Sequence, residues 1–120
     1  MELKLKGVIQ EKSYVFAIKI VRVYQHLSDN KREFVLSKQL LRSGTAIGAL
    51  SREAEHAQSK ADFVNKLSVA LKEANETSYW LSILKDTEYL TIEQYNSLIA
   101  DSQELIRMLV SSIKTLKSTV

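Results

Sequence analysis

The sequence lacks several residue types that other fold classes need. It has no proline, no cysteine and only three glycines in 120 residues. So few turn-forming residues argue against an all-β design, in which many tight turns join short strands. Without cysteine there is no disulfide framework and no thiolate for metal binding or nucleophilic catalysis. This composition suits a reducing compartment, and we expect a cytoplasmic protein.

Long apolar runs are also missing. No stretch approaches the ~18 uninterrupted apolar residues of a membrane-spanning helix, so we expect no membrane span. The amino-terminal sequence MELKLKGVIQEKS has neither the apolar centre nor the small-residue cleavage site of a secretory signal. The composition, 45% hydrophobic and 26% charged, is typical of a folded globular chain. The length predicts a single domain over residues 1–120.

Apolar residues recur every three or four positions, which predicts helices. The first helix is expected over residues 8–29 and the second over residues 33–57. The third follows the capping pattern Ser59-x-x-Asp62, and the fourth follows the capping box Thr91-x-x-Gln94, both typical of helix starts. Short links force neighbouring helices to run antiparallel. The predicted fold is therefore all-α, an antiparallel up-and-down four-helix bundle.

Two of the glycines, Gly44 and Gly48, lie four residues apart inside the second predicted helix. Glycine in a helix interior costs about 1 kcal/mol relative to alanine. A phosphate-binding loop is one interpretation, but the segment lacks the preceding strand and the residue spacing of such loops. We favour a close helix contact, in which the missing side chains let the backbone of a neighbouring helix, or of another subunit, approach.

The first predicted helix has more apolar surface than one bundle can bury. Nine of the thirteen residues at positions 15–27 are apolar or aromatic, and they surround most of the helix. A helix in a monomeric bundle needs an apolar stripe only a little over about 100° wide. The excess predicts a homo-oligomer, in which another subunit covers this helix.

Positive charge is concentrated in the first half of the chain. Residues 1–52 carry ten Lys/Arg and four Asp/Glu, whereas residues 53–120 carry seven and ten. Helical wheels place several basic side chains on exposed stripes of the first two helices: Lys19, Arg22, Lys38, Arg42 and Arg52. We predict that these five contact the phosphates of RNA or DNA, with broad sequence tolerance and steep salt dependence. The alternatives are ordinary solvated helix faces, and an adaptor that binds a protein partner without nucleic acid.

Residues suited to metal binding or catalysis are incomplete. Glu53-x-x-His56 has the spacing of a di-iron ligand pair in a helical bundle, but such a site needs two pairs and two further glutamates. The other histidine, His26, has no glutamate three positions before it. We therefore predict no metal, no cofactor and no enzymatic activity. Four aromatic residues near the third-to-fourth link suit core positions better than base stacking: Tyr79, Trp80, Tyr89 and Tyr95.

A series of short motifs runs through residues 41–81, LRSGTAIGALSREAEHAQSKADFVNKLSVALKEANETSYWL. They are Arg42-Ser43-Gly44, Arg52-Glu53-Ala54, Ser-Lys-x-Asp-Phe at 59–63, and Lys-Glu-Ala-x-Glu-Thr-x-Tyr-Trp at 72–80. With EKSYVFAIKIV at 11–21, they resemble the four-helix-bundle proteins encoded by intervening sequences within bacterial 23S rRNA genes. The resemblance covers nearly the whole chain.

The resemblance implies an up-down-up-down bundle that, in known relatives, forms ring-like pentamers and has no established enzymatic activity. It also implies kinship with accessory proteins of diversity-generating retroelements, which are basic pentamers that bind nucleic acid and a reverse transcriptase. The family motif offers Arg42 a second role, an ion pair between subunits. At one place the chain departs from the family, which usually has Ala-Asn-Ile at Ala49-Leu50-Ser51. A hydrogen bond made by that asparagine cannot be made by Leu50.

Overall fold

Four helices joined by short links form the structure. The computed structural model describes the backbone of residues 2–118 and the side chains of residues 7–118. The helices are α1 (Glu2–Asp29), α2 (Leu36–Ala54), α3 (Lys60–Asp86) and α4 (Ile92–Ser118). α2 packs against α1 and α3, and α4 packs against α3 and, more loosely, against α1. The predicted all-α, up-and-down four-helix bundle is thus confirmed.

The core consists of the apolar stripes that the sequence predicts. Each helix turns its stripe inward, and the largest fully buried side chains come from all four helices: Phe16, Ile20, Leu27, Leu40, Ile47, Leu81, Leu84, Leu105 and Leu109. Leu36 and Leu50 on α2 are half-buried and pack against this core. A 27-residue helix is about 40 Å long, so the 49 Å long axis of the bundle is little more than one helix length.

The structure corrects the bounds of two helices. α1 begins at Glu2 rather than at residue 8, and α2 spans Leu36–Ala54 rather than residues 33–57. α2 starts late because Arg32 has a left-handed backbone, φ 58°, and the Glu33 carboxylate accepts hydrogen bonds from three successive N–H groups of the first turn, at 2.6 to 3.2 Å. Residues 55–57 bond to carbonyls three residues back, which tightens the last turn and ends the helix.

Glu33 is a buried carboxylate, only 8% exposed. Its burial acts to raise the pKa, but hydrogen bonds from the backbone N–H groups of α2 outweigh that effect, and the pKa of Glu33 lies below its usual value of 4.5. The amino-terminal end of a helix also favours negative charge, because its free N–H groups carry partial positive charge. Glu33 therefore holds the start of α2 as an ionised carboxylate.

The predicted capping patterns of α3 and α4 are confirmed. The Asp62 N–H donates to the Ser59 hydroxyl at 3.0 Å, so Ser59 caps α3. At α4, the Gln94 N–H donates to the Thr91 hydroxyl at 3.1 Å, and the Thr91 N–H donates to the Gln94 side-chain oxygen at 2.9 Å. These bonds satisfy donors that a helix start leaves without intrahelical partners.

Small hydroxyl side chains link three helices inside the bundle. The Thr77 hydroxyl of α3 donates to the Ser43 hydroxyl of α2 at 3.0 Å. One position further along α3, the hydroxyls of Ser78 and Ser102 lie 2.8 Å apart and join α3 to α4. Buried polar groups cost free energy unless they are hydrogen-bonded, so these pairs favour one alignment of α2, α3 and α4.

Candidate nucleic-acid interface

The fold places the cationic half of the chain on one side. α1 and α2 are neighbours, so residues 7–52, with eight Lys/Arg and three Asp/Glu, form one side of the bundle. All five basic residues predicted to bind nucleic acid are exposed. We use the term cationic face for the outer surface of α1 and α2 that carries four of them: Arg22, Lys38, Arg42 and Arg52.

Lys19, the fifth, lies at the edge of α1 that faces α4. Its ammonium group is 2.6 Å from the Asp101 carboxylate. About two helical turns away, Lys12 of α1 is 3.3 Å from Glu104 of α4. The two ion pairs bridge a groove of about 290 Å³ whose walls include Phe16 and Leu105. Lys19 is thus exposed but already paired with a carboxylate.

Arg42 is also paired within the chain. Its guanidinium lies 2.6 Å from the Glu76 carboxylate and 3.2 Å from Glu73 Oε1 on α3. Glu73 Oε1 is buried and accepts no hydrogen bond despite this distance. Hydrogen bonds to Glu76 and then Glu73 raise the pKa of Arg42. The structure therefore gives Arg42 an ion-pair role between α2 and α3 of one chain.

Trp80 completes this cluster. Its Nε1–H donates to the Glu76 carboxylate at 3.1 Å. The bond from Trp80, followed by the one from Arg42, lowers the pKa of Glu76. Tyr79 beside it does not take the expected core position: its ring is exposed and meets Trp80 edge-on, with 5.1 Å between the ring centres. Tyr89 and Tyr95 pack against the core, as expected of aromatic residues at a bundle end.

Among residues 7–118, three basic residues of the cationic face have no carboxylate partner. Within residues 7–118, neither Arg22 nor Lys38 makes an ion pair. Arg52 of α2 instead lies over the Tyr14 ring of α1, with its guanidinium carbon 5.5 Å from the ring centre. This cation–π contact orients the guanidinium but leaves its positive charge uncompensated.

Gly44 and Gly48 face α1. A Cβ atom on Gly44 would stand 2.8 and 2.9 Å from Cγ1 and Cγ2 of Ile20, and one on Gly48 would stand 3.2 Å from the backbone oxygen of Ser13. The first distances are below any normal contact between carbon atoms. Both glycines thus lie where α1 approaches α2 closely.

Beside Gly48 the outer surfaces of α1 and α2 leave an open cleft of about 220 Å³, here named the Tyr14 cleft. Its lining residues are Tyr14, Ala17, Thr45, Gly48, Ala49 and Arg52. Sequence analysis missed Tyr14 as a site residue. On the wheel of α1 it is one more apolar position, and only the register between α1 and α2 shows that it meets Arg52.

The outer surface of α1 exposes several apolar side chains. Val8, Val15, Ile18 and Val21 are between 37% and 48% exposed, and Tyr14 is 55% exposed. Val8 and Val15 are seven residues apart and share one stripe, whereas Tyr14 lies about 100° away toward α2. α1 therefore has an unburied apolar flank on the side away from α2.

Two other sequence features have ordinary structural roles. Glu53 of the Glu53-x-x-His56 pair is 3.5 Å from Lys66, and no group of three metal-ligand side chains occurs among the described residues. Where the chain departs from the family pattern, Ser51 is buried and its hydroxyl donates to the Ile47 carbonyl at 2.8 Å. The Ser51 carbonyl in turn accepts from the Gln10 amide of α1 at 3.2 Å.

The fold and the charge distribution are those of a small four-helix-bundle protein with one cationic side. Residues 6–111 match the family described as 23S rRNA-intervening sequence protein, and the chain belongs to that family. A similar crystal structure is that of a protein of unknown function from the S23 ribosomal protein family of Bacteroides thetaiotaomicron. The two sequences are 57% identical, and the match covers 92% of this chain and 98% of the Bacteroides chain, with a TM-score of 0.91. No curated protein sequence gives a significant match.

In the described part of the chain, every helix is too short or too polar to cross a membrane.

Proposed function

We propose that this protein is a non-enzymatic homo-oligomer, a pentamer by resemblance to its family, that binds RNA or DNA through the cationic face. The observation that carries the proposal is the separation of charge: α1 and α2 lie side by side, and Arg22, Lys38 and Arg52 have no carboxylate partner among the described residues. A polyanion is the partner that such a surface attracts.

The five predicted contact residues then fall into two groups. Arg22, Lys38 and Arg52 have no carboxylate partner among the described residues and can meet phosphates directly. Lys19 and Arg42 must first leave Asp101, or Glu73 and Glu76. Exposed ion pairs are worth only about 0–1 kcal/mol, so phosphate can compete for Lys19. Arg42 has two carboxylate partners and is the weaker candidate of the two.

The proposed subunit contact uses the apolar flank of α1 away from α2. Val8, Val15 and Ile18 lie there, exposed to 38%, 48% and 43%. Contact between subunits at this flank removes apolar area from water and leaves the α2 part of the cationic face, Lys38 and Arg52, open. Arg22 follows Val15 by seven residues and therefore lies at the edge of this contact. Light scattering coupled to size exclusion tests the assembly, because a monomer of 13.7 kDa at micromolar concentration would contradict it.

Binding is tested with structured RNA, single-stranded DNA and duplex DNA at two salt concentrations. We expect affinity for at least one of them to fall steeply with salt, by a log–log slope of roughly 0.7 to 0.9 for each phosphate contact. The double variant Lys38→Glu, Arg52→Glu should weaken binding while keeping the oligomeric mass. A matched control is Arg107→Glu, Lys114→Glu, which makes the same charge change at two exposed positions of α4.

The alternative is an adaptor that binds a protein partner without nucleic acid. The exposed apolar flank of α1 is the feature that favours it. The two functions make opposite predictions, since an adaptor needs no affinity for polyanions. Absence of binding to all three nucleic acids at low salt would exclude the nucleic-acid function and leave the adaptor.

A further inference from the structure

We infer that the Tyr14 cleft binds an unpaired base of a single-stranded nucleic acid, with Tyr14 as the stacking platform and Arg52 beside the adjoining phosphate. This inference rests on the proposed function, because the cationic face must first hold the strand. It extends that function by naming the substrate class, a single strand, and by adding Tyr14 to its contact residues.

The exposure of Tyr14 and its contact with Arg52 suit base stacking on its ring. It is 55% exposed, although tyrosine in a small bundle gains most by burying its ring. Arg52 lies over the ring, 5.5 Å from its centre, and restricts the ring's orientation through a cation–π contact. A base that stacks on this face takes the place of the guanidinium, which turns to the adjoining phosphate. Aromatic rings with an accessible face, placed beside cationic side chains, are the usual platforms for unpaired bases.

The walls of the cleft leave room for a flat group next to the ring. Ala17, Gly48 and Ala49 contribute one methyl group or none, and α2 comes so close to α1 at Gly48 that a Cβ there would meet the Ser13 carbonyl oxygen at 3.2 Å. The volume of about 220 Å³ is below the ~300–1,000 Å³ of most small-molecule pockets. An open slot of this size suits a planar ring that enters from the surface.

Thr45 adds an acceptor at the cleft. Its hydroxyl hydrogen is used in a 2.8 Å bond to the Leu41 carbonyl. The oxygen lone pairs remain available, because a hydroxyl has two acceptor positions besides its donor. A base N–H in the cleft can therefore donate a hydrogen bond to the Thr45 hydroxyl oxygen. An ionised phosphate has no such donor, so this acceptor suits a base rather than a phosphate.

The other basic residues of the cationic face can contact the phosphates of the strand that carries the base. Lys38 and Arg52 are fourteen residues apart on one side of α2, which corresponds to about 21 Å along the helix. α1 is antiparallel to α2, with Ile20 against Gly44, so Arg22 lies near the level of Arg42. Cations along this length follow several consecutive phosphates, and the Tyr14 ring stands at the Arg52 end of the row. An exposed ring under Arg32, Phe34, lies toward the Lys38 end.

A single strand fits this arrangement better than a duplex. In a duplex each base is stacked between its neighbours and presents no free face to Tyr14. Extracting a paired base costs free energy, and a strand that is already unpaired avoids that cost. The cleft therefore favours single-stranded regions over duplex at equal charge.

The experiment compares two short strands of the same length, a thymine homopolymer and an abasic strand with the same phosphates. Base–aromatic stacking predicts that the oligomeric protein binds the homopolymer about 5- to 150-fold more tightly per stacked base. Tyr14→Leu should reduce this preference to near onefold. Ala49→Leu, at an exposed position that lines the cleft, should reduce it as well, by filling the slot. Tyr14→Phe retains the ring and should retain most of the preference.

The control variant is Tyr79→Leu, which removes an equally exposed ring, 59% exposed, from α3 and should leave the preference unchanged. Equal affinity of the parent protein for both strands would overturn the base site and leave phosphate binding intact. Binding of neither strand would overturn this inference, whereas the proposed function is overturned only if structured RNA and duplex DNA are not bound either. A lower oligomeric mass of Tyr14→Leu or Ala49→Leu would show that the cleft is a subunit contact, and would equally overturn the base site.

Discussion

Glu33 and Ser37 are joined by two hydrogen bonds at the start of α2. The Ser37 N–H donates to the Glu33 carboxylate at 2.6 Å, and the Ser37 hydroxyl donates to the Glu33 carbonyl at 2.8 Å. The acidic side chain thus does at the first turn what a serine or aspartate usually does at the position just before a helix.

The first prediction concerns the pH dependence of this contact. The pKa of Glu33 is lowered by folding, from a usual value of 4.5. Its contribution to stability is therefore complete above that value and is lost as the pH falls through the lower pKa of the folded state. Glu33→Gln should lower the free energy of unfolding by about 1–3 kcal/mol at pH 7 and by less at an acidic pH well below 4.5, as measured by urea unfolding. The control is Glu55→Gln, at an exposed carboxyl in the next link. An equal loss at both pH values would contradict the prediction.

The second prediction concerns the glycines. Gly44→Ala should destabilise the fold by about 1–3 kcal/mol, because the new methyl group overlaps Ile20 and overpacking carries that cost. Gly7→Ala is the control: Gly7 is also in a helix, but in the described part of the chain no atom outside the backbone of its own helix lies within 4 Å of its added Cβ. It should be stabilised by up to about 1 kcal/mol through helix propensity alone. Thermal and urea unfolding measure both. If Gly44→Ala is stabilised as much as Gly7→Ala, the predicted overlap of the new methyl group with Ile20 is wrong.

Gly48 is the intermediate case. Its added Cβ would meet the Ser13 backbone oxygen at 3.2 Å, a tight contact that a small shift of α1 relieves. We expect Gly48→Ala to be nearly neutral, since this shift offsets the gain in helix propensity, and Gly48→Leu to be destabilised. Stabilisation by both substitutions would mean that Gly48 is merely a poor helix former.

The third prediction concerns assembly. Val15→Lys places a charge on the apolar flank of α1 and should lower the oligomeric mass, because the charge must be desolvated in a subunit contact. Ile92→Lys is the control, since Ile92 is 61% exposed but lies at the start of α4. Light scattering of both variants at micromolar concentration is the measurement. An unchanged mass for Val15→Lys would place the subunit contact elsewhere.

The fourth prediction separates paired from unpaired cations in nucleic-acid binding. When Lys19 moves from Asp101 to a phosphate, the nucleic acid releases a counterion but the freed carboxylate attracts one. The net salt dependence of that contact is therefore small. Asp101→Asn removes this compensation, so the log–log salt slope should steepen by roughly 0.7 to 0.9 and the affinity at low salt should rise. Glu93→Gln, at an exposed acid on the same helix, should leave the slope unchanged, and an unchanged slope in Asp101→Asn would exclude Lys19 from the interface.

Much of the fold follows from local sequence. Apolar periodicity predicts which side of each helix is buried, and the box at Thr91 and Gln94 predicts where α4 begins. The start of α2 could not be predicted in the same way. Its cap is a glutamate two residues before the usual capping position, brought into place by the left-handed conformation of Arg32, and no common sequence pattern describes that arrangement.

The candidate site depends on contacts between helices, which local patterns do not contain. Helical wheels predict that Lys19 and Arg42 are exposed, and they are. Their pairing with carboxylates of α4 and α3 depends on which helices are neighbours and on their relative heights. The same is true of Tyr14 and Arg52, whose contact requires the register between α1 and α2.

The register between α1 and α2 is also fixed at Gly44, where the missing side chain leaves a notch in the surface of α2. Ile20 occupies the notch, and the residues one turn before and after it on α1 are Phe16 and Tyr24. If α1 slid by one turn in either direction, an aromatic ring would have to enter a space that an isoleucine already fills. The missing side chain at Gly44 thus fixes the position of α1 along α2. The space fits Ile20, and shifts of α1 by one turn in either direction are excluded by steric overlap.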